Sequence, residues 1–247
     1  MDPRAAMRTG AIAGVLLWAW LVVLAAPVAV AAASAPAVAA GSAGSAATAA
    51  PAAVARPSAA DAVALARVEQ AIASLDSVRA EFVQELVDPR TKSTQRATGT
   101  LSIRKPGKFR WDYAAPAQVI VSDGERLWLY DADLEQVTVR RVRDTLSQTP
   151  AMLLSGRGRI ADGFTAQALP RADGLEWVRL VPKRGDTDFR ELRLGFADGT
   201  LRRMEFEDKL NQLTRITLTK IERNARLDDR LFNFVPPPGA DVIGPAR

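Results

Sequence analysis

The chain of 247 residues contains no cysteine and no histidine. Without cysteine it can form no disulfide, and it offers no N-terminal cysteine for lipid attachment after export. Without histidine it lacks the most common general base and the most common metal ligand in proteins. No serine lies in a G-x-S-x-G motif. We therefore expect a protein that is not an enzyme and that has no cofactor and no metal site, with a hydrolase as the least supported alternative.

Blocks of like charge are also missing. The 33 Lys and Arg residues against 28 Asp and Glu residues give a net charge of +5. These charges mostly alternate with apolar residues, which is typical of the solvated face of a sheet. A basic stripe that could follow a nucleic-acid backbone is not evident, so we expect no nucleic-acid partner.

The N-terminal region has the features of a secretory signal. Arg4 and Arg8 precede the apolar run 12–24, and small residues with several A-x-A choices follow. This order is that of a cleaved signal peptide, which we assign to residues 1–33. An uncleaved membrane anchor is the alternative. The assignment predicts export across the inner membrane into the periplasm.

Two further regions follow the predicted signal peptide. Residues 34–60 are rich in Ala, Pro, Gly and Ser, which is typical of a flexible linker. Residues 61–247 carry the charged and aromatic residues and are long enough for one all-β domain. Ser58 can cap a helix over 60–75, in which Leu65, Val68 and Ile72 form one apolar stripe.

Beyond this helix, apolar residues recur at every second position. Phe82 shares a strand face with Val78, and Phe109 shares one with Trp111. Asp-Gly pairs at 123, 173 and 198 separate further β-rich runs, as expected for hairpin turns. More than ten short strands in sequence predict an antiparallel meander, and a sheet that large must curl. The predicted strands are 78–87, 97–104, 109–113, 118–122, 125–130, 136–142, 164–169, 175–182, 188–196, 200–207 and 212–222.

One short apolar helix interrupts this meander. Thr149 can cap it, Pro150 can begin it, and Gly156 can end it. With the first helix, it is little cover for the concave face of so large a sheet. The pattern alone does not distinguish a filled core from a cavity closed by movable helices.

Four segments together resemble a known family. They are G-T-L-S-I-R-K-P-G-K-F-R-W at 99–111, V-S-D-G-E-R-L-W-L-Y at 121–130, T-P-A-M-L-L at 149–154 and F-N-F-V-P-P-P-G at 232–239. In order and spacing they are similar to the motifs of the LolA family of periplasmic carriers of outer-membrane lipoproteins. The resemblance extends over nearly all of residues 61–247.

The resemblance implies a mainly β fold, a half-open antiparallel β-barrel of about 10–11 strands with a small helical lid. It implies a monomeric chaperone that binds the acyl chains of lipoproteins released by an inner-membrane ABC transporter. It also implies delivery to an outer-membrane acceptor. Carried over to this chain, Phe109 and Trp111 line the acyl-chain cavity, and Phe82, Leu101 and Ile103 are added because they share strand faces. The expected lid residues are Leu65, Val68, Ile72, Met152, Leu153 and Leu154.

Lys105 is the expected latch of this lid. The family often has Arg immediately before the turn proline, and Lys offers a point charge in place of a planar guanidinium. The closed lid is then either held more loosely or less stable. Two other functions on the same fold remain as alternatives: an envelope sensor that binds lipids, and the outer-membrane acceptor itself, which would need a lipidated cysteine.

Overall fold

A computed structural model describes residues 58–142, 156, 159–184 and 189–244. They form two α-helices, twelve strands and one 3-10 helix. The helices are α1 (Ala59–Ala73) and α2 (Ile160–Gly163), and the 3-10 helix is Asp229–Phe232. The strands are β1 (Ser77–Val87), β2 (Thr94–Arg104), β3 (Lys108–Tyr113), β4 (Gln118–Asp123), β5 (Arg126–Asp131), β6 (Gln136–Arg141), β7 (Phe164–Ala172), β8 (Leu175–Pro182), β9 (Phe189–Ala197), β10 (Thr200–Asp208), β11 (Leu213–Arg223) and β12 (Asp241–Ile243).

Several predicted features lie outside the described residues. These are the predicted signal peptide, most of the predicted linker, and the short helix with Met152, Leu153 and Leu154. Within the described part of the chain, neither α-helix is long and apolar enough to cross a membrane.

All twelve strands belong to one sheet, in the order β12-β6-β5-β4-β3-β2-β1-β11-β10-β9-β8-β7. Neighbours run antiparallel except β12, which pairs parallel with β6. Two meanders, β1 to β6 and β7 to β11, meet where β1 pairs with β11. The sheet ends at β12 and β7, so the predicted unclosed, mainly β architecture is confirmed. The twelfth strand, beyond the 10–11 predicted, is the three-residue β12.

The hairpin turns form where the Asp-Gly pairs predict them. Asp173-Gly174 joins β7 to β8 and Asp198-Gly199 joins β9 to β10, with positive φ at both residues of each pair. Asp and Gly tolerate this left-handed backbone, which matches the twist of the flanking strands. The turn at Asp123-Gly124 differs, because only Gly124 has positive φ.

Local sequence explains the position of α1. The Ser58 hydroxyl accepts a hydrogen bond from the Asp61 amide, and the Asp61 carboxylate accepts one from the Ser58 amide. This capping box satisfies two amides that the first turn leaves without helical partners. The helix begins one residue before the predicted 60–75 and ends two residues before its predicted end.

The two faces of the sheet differ. We call the face that carries Phe82, Leu101 and Trp111 the inner face, and the opposite one the outer face. α1 lies over the inner face, where Ile72 and Leu75 line a space together with Leu101. The outer face is covered across β2 to β5 by the segment 225–244, here called the C-terminal segment.

Across β8 to β11 and β1, the outer face carries charged side chains. Four of them lie opposite one another on consecutive strands and alternate in sign, which are Arg193, Glu205, Arg215 and Glu85. Opposite charges in such cross-strand positions stabilise a sheet whose face is wet.

Candidate functional site

The five residues predicted to line the cavity lie together on the inner face. Register places Leu101 opposite both Ala80 and Trp111, and Ile103 opposite Phe109. All five side chains are buried, with exposed fractions between 0 and 5%. Alternation along each strand predicts their common face, and pairing of β1, β2 and β3 joins them into one apolar wall.

An aromatic cluster forms the centre of this wall. The Phe82 ring packs edge-on against Trp111 at 5.2 Å and against Tyr113 at 5.1 Å between centroids. Gly99 lies opposite both Phe82 and Tyr113, where a Cβ would be 2.7 Å from the Phe82 ring. Any other residue at 99 would therefore displace the cluster.

The two polar groups of the cluster differ in whether they have a hydrogen-bond partner. The Tyr113 hydroxyl donates to Oε1 of Gln84 at 2.9 Å, and burial raises the pKa of that hydroxyl, so it stays protonated. The indole N–H of Trp111 is buried and has no hydrogen-bond partner within the described structure. Sequence reasoning could not detect this, because it follows from the ring's orientation.

α1 covers part of the wall with little buried apolar surface. Val68 is fully buried and Ala64 nearly so, whereas the other predicted lid residues of this helix, Leu65 and Ile72, are half-buried. Between Ile72 and the sheet remains a cavity of about 50 Å³, lined in part by Leu101 and Ile103. A water molecule occupies roughly 30 Å³ of liquid volume, so this space is too small for an acyl chain. The space between Ile72 and the wall is therefore closed to an acyl chain in this structure.

Polar contacts attach the N-terminal end and the middle of α1. The carboxylate of Asp61 accepts a hydrogen bond from the amide of Ala168 on the edge strand β7 at 2.9 Å. Hydrogen bonds from the Ser58 amide, the Ala168 amide and the Ser58 hydroxyl lower the pKa of Asp61. Arg67 forms an ion pair with Glu176 of β8 at 2.7 Å, and both side chains are at least half exposed.

The remaining contacts involve the middle and the C-terminal end of α1. The carboxylate of Glu69 accepts a hydrogen bond from the amide of Ala161 in α2 at 3.2 Å. A guanidinium nitrogen of Arg223, at the end of β11, donates to the hydroxyl of Ser74 at 3.0 Å. Polar groups therefore attach α1 along its whole length.

Lys105, the expected latch, lies beside the C-terminal end of α1. Its ammonium donates a hydrogen bond to the carbonyl oxygen of Ile72, in the last turn of α1. A positive charge at this end of a helix also interacts favourably with the helix dipole. Burial lowers the pKa of Lys105, and Asp76 partly opposes this shift. A Cβ on Gly156 would lie 2.6 Å from Cδ of Lys105. The ammonium of Lys105 therefore contacts α1, and its methylene stem lies beside Gly156, which follows the predicted second lid helix.

A second, larger space lies beside α1. It is a cleft of about 880 Å³ between the exposed side of the helix and the ends of β7, β8 and β9. Val63, Val178 and Phe196 give it apolar surface, and Arg67 and Arg171 lie among its lining residues. The cleft and the small cavity share Ala71, Phe196, Gly199 and Arg223. Sequence reasoning missed this cleft, because it depends on the position of α1 relative to the sheet.

The acidic residues at the end of β10 serve the sheet. Glu205 is buried and pairs with Arg215 at 2.7 Å. Asp208 accepts hydrogen bonds from the amides of Leu210 and Gln212, so it shapes the turn to β11. Burial nevertheless raises the pKa of Asp208. In the described part of the chain, no cluster of three or more Asp and Glu residues could hold a metal ion.

The sequence is similar to those of known outer-membrane lipoprotein carrier proteins. The family model described as "Outer membrane lipoprotein carrier protein LolA" matches residues 73–235. An "Outer-membrane lipoprotein carrier protein" of Dechloromonas aromatica is 40% identical over 189 residues, which cover 76% of this chain and 91% of the relative. One of the same description from Methylobacillus flagellatus is 41% identical over 172 residues, covering 69% and 84%. A solved structure of a LolA superfamily protein from Nitrosomonas europaea aligns with a TM-score of 0.43 and 12% identity, covering 72% of this chain and 99% of that one.

Proposed function

Because the chain belongs to the LolA family of outer membrane lipoprotein carrier proteins, we propose that it carries lipoproteins through the periplasm with their acyl chains sheltered on the inner face. The observation that carries this proposal is the apolar wall around Trp111, whose residues Leu101 and Ile103 face a helix attached mainly through polar contacts. Binding and release need no bond to be made or broken, so the protein is not an enzyme.

Loading requires α1 to move. The closed cavity of about 50 Å³ must enlarge before an acyl chain can enter. Each methylene transferred from water to the wall contributes about 0.8 kcal/mol, so one chain supplies several kcal/mol. Cargo shifts the equilibrium only through its preference for the open form. The stability of the closed form therefore sets both the affinity for cargo and the ease of release.

Loading is made possible by the kind of contact that holds α1. Hydrogen bonds at an exposed helix can exchange with water, and each contributes only about 0.5–1.5 kcal/mol net. The closed form is then close enough in free energy to the open form for cargo to open it, and what stability the closed form keeps favours release.

We further propose export by a signal peptide over 1–33, a linker over 34–60, and action as a monomer. An inner-membrane ABC transporter would supply the cargo and an outer-membrane acceptor would receive it.

The decisive experiment measures binding of a displaceable fluorescent fatty acid. Trp111→Asp places a charge in the apolar wall, so we expect at least tenfold weaker binding. Trp128→Asp is the matched control, because Trp128 lies on the outer face beside Phe234. Circular dichroism identifies the temperatures at which all three proteins are folded. Equal binding by the wild type and folded Trp111→Asp would show that the inner face is not the site.

A further inference from the structure

The indole N–H of Trp111 is an exception among the buried polar groups of this protein. The side chain is 4% exposed, and its nitrogen has no hydrogen-bond partner in the described structure. Buried donors are nearly always satisfied in folded proteins, because leaving one unpaired is costly. The only other buried side-chain nitrogen without a partner among the described residues is Nε of Arg203, whose guanidinium still donates to Asp173 at 3.0 Å.

Comparable groups nearby are satisfied. The Trp177 indole donates to the carbonyl of Ala172 at 3.1 Å. On the inner face, the Tyr113 hydroxyl donates to Gln84, and the Ser122 hydroxyl donates to the carbonyl of Gly107 at 2.9 Å. The fold therefore provides partners for buried donors on either face, and Trp111 stands apart.

The position of Trp111 indicates what could satisfy it. Its strand partner is Leu101, which lines the small cavity under Ile72. The ring is held by Phe82 edge-on and by Tyr113, stacked at 6.5 Å and 16°. A fixed donor thus lies one strand away from the space that an entering acyl chain would enlarge. The methylenes of a saturated chain carry no hydrogen-bond acceptor, so the acceptors of such a ligand are the oxygens of its linkage, and the carbonyl is the one that only an acyl linkage has.

We propose that the indole N–H of Trp111 donates a hydrogen bond to the carbonyl oxygen of an acyl linkage in the cargo. This inference rests on the proposed function and adds an orientation to it, because the carbonyl end of one chain would lie at β3. It also implies a preference for acyl over alkyl chains, since an ether-linked chain lacks the carbonyl.

The test compares two ligands that differ in that carbonyl. The probes are 1-monopalmitoylglycerol and its ether analogue 1-O-hexadecylglycerol, each displacing a fluorescent fatty acid from the full chain. We expect the wild type to bind the ester about 3- to 10-fold more tightly, the range of one net hydrogen bond. Trp111→Phe keeps an aromatic ring without the donor and should bind both ligands alike. Trp177→Phe, whose donor already has a partner, should keep the wild-type preference.

The outcomes separate the inference from the proposed function. If both ligands bind the wild type equally, or if Trp111→Phe keeps the ester preference, the inference is wrong and the carrier function stands. If neither ligand binds the wild type, the proposed function fails as well.

A second measurement does not depend on affinity. The chain has five tryptophans, and Trp111→Phe identifies the indole resonance of residue 111 in a ¹⁵N-labelled sample. That resonance should move further to lower field with the ester than with the ether. An unchanged resonance with saturating ester would overturn the inference.

Discussion

Two segments cover this sheet, α1 on the inner face and the C-terminal segment on the outer face, and they are attached differently. α1 buries Ala64 and Val68, leaves Leu65 and Ile72 half-buried, and otherwise depends on polar contacts at its surface. The C-terminal segment inserts Phe232, which is fully buried. When α1 lifts, its polar groups can form hydrogen bonds with water in place of those to the sheet. The C-terminal segment cannot leave without opening a cavity where its aromatic ring was inserted.

Further contacts strengthen the outer cover. The Arg104 guanidinium lies 5.2 Å over the Phe232 ring and donates to the carbonyl of Leu227 at 3.0 Å. Arg104 and Lys108 both pair with Asp229. The segment ends in β12, which adds main-chain hydrogen bonds to β6. We therefore expect α1, rather than the C-terminal segment, to be the part that moves.

We expect the largest effect on stability from a substitution in the C-terminal segment. Phe232→Ala should lower the free energy of unfolding by about 3–5 kcal/mol, because it leaves a cavity under Arg104. Denaturant unfolding measures this loss, and Phe232→Leu should lose less. In conditions where the variant is folded, its affinity for a fatty-acid probe should equal that of the wild type. A tighter affinity would mean that the C-terminal segment also acts as a lid.

The inner cover should respond differently to a loss of packing. Val68→Ala removes two methyl groups from the contact of α1 with the sheet, which should cost about 1–2 kcal/mol. Because α1 loses this contact on opening, the open form gains relative to the closed form. We expect an apparent probe affinity up to about tenfold tighter, measured by fluorescence titration.

The control for this variant has the same chemistry on the other face. Val121 is also fully buried, but on the outer face, where it pairs with Arg110 and Trp128. Val121→Ala should lower stability similarly and leave the probe affinity unchanged. If both variants tightened binding equally, general loosening would explain the effect and the distinction between the two covers would fail.

Whether the sequence predicts a feature of this fold depends on how far apart along the chain the interacting residues lie. Alternation along the strands predicts that Phe82, Leu101 and Trp111 face one way, and Ser58 predicts the start of α1. These features depend on neighbours within a few residues. Hairpin turns set the register between adjacent strands, so the apolar wall of the inner face can be predicted from the sequence.

The covers are less predictable, because their contacts join distant parts of the chain. Asp61 meets Ala168 and Arg104 meets Asp229, more than one hundred residues apart in each case. The proline run 236–238 excludes a central strand but does not indicate that the chain crosses the outer face. Lys105 is an intermediate case: its importance follows from a family motif, and its contact with Ile72 is visible only in three dimensions.

Lys105→Leu tests the polar attachment at the C-terminal end of α1. The change removes a charged hydrogen bond to the Ile72 carbonyl, which we expect to weaken the closed form by about 1 kcal/mol. Apparent affinity for lipoprotein should rise about fivefold, and handover to the acceptor should slow. A two-step assay measures release from inner-membrane vesicles and then transfer. Lys105→Arg, which keeps the charge, should stay close to the wild type, and weaker loading with faster handover in Lys105→Leu would reverse this account.

The smallest effect should come from the ion pair between Arg67 and Glu176. Its nitrogen and oxygen are 2.7 Å apart, yet the two side chains are 60% and 50% exposed. Exposed pairs contribute about 0.2–1 kcal/mol and lose that contribution at high salt. A double-mutant cycle with Arg67→Ala and Glu176→Ala, read out as probe affinity, should give a coupling of less than threefold that vanishes in 1 M salt. A larger coupling that persists in salt would show that this pair holds the lid closed, and that the closed form depends on the middle of α1 more than on its ends.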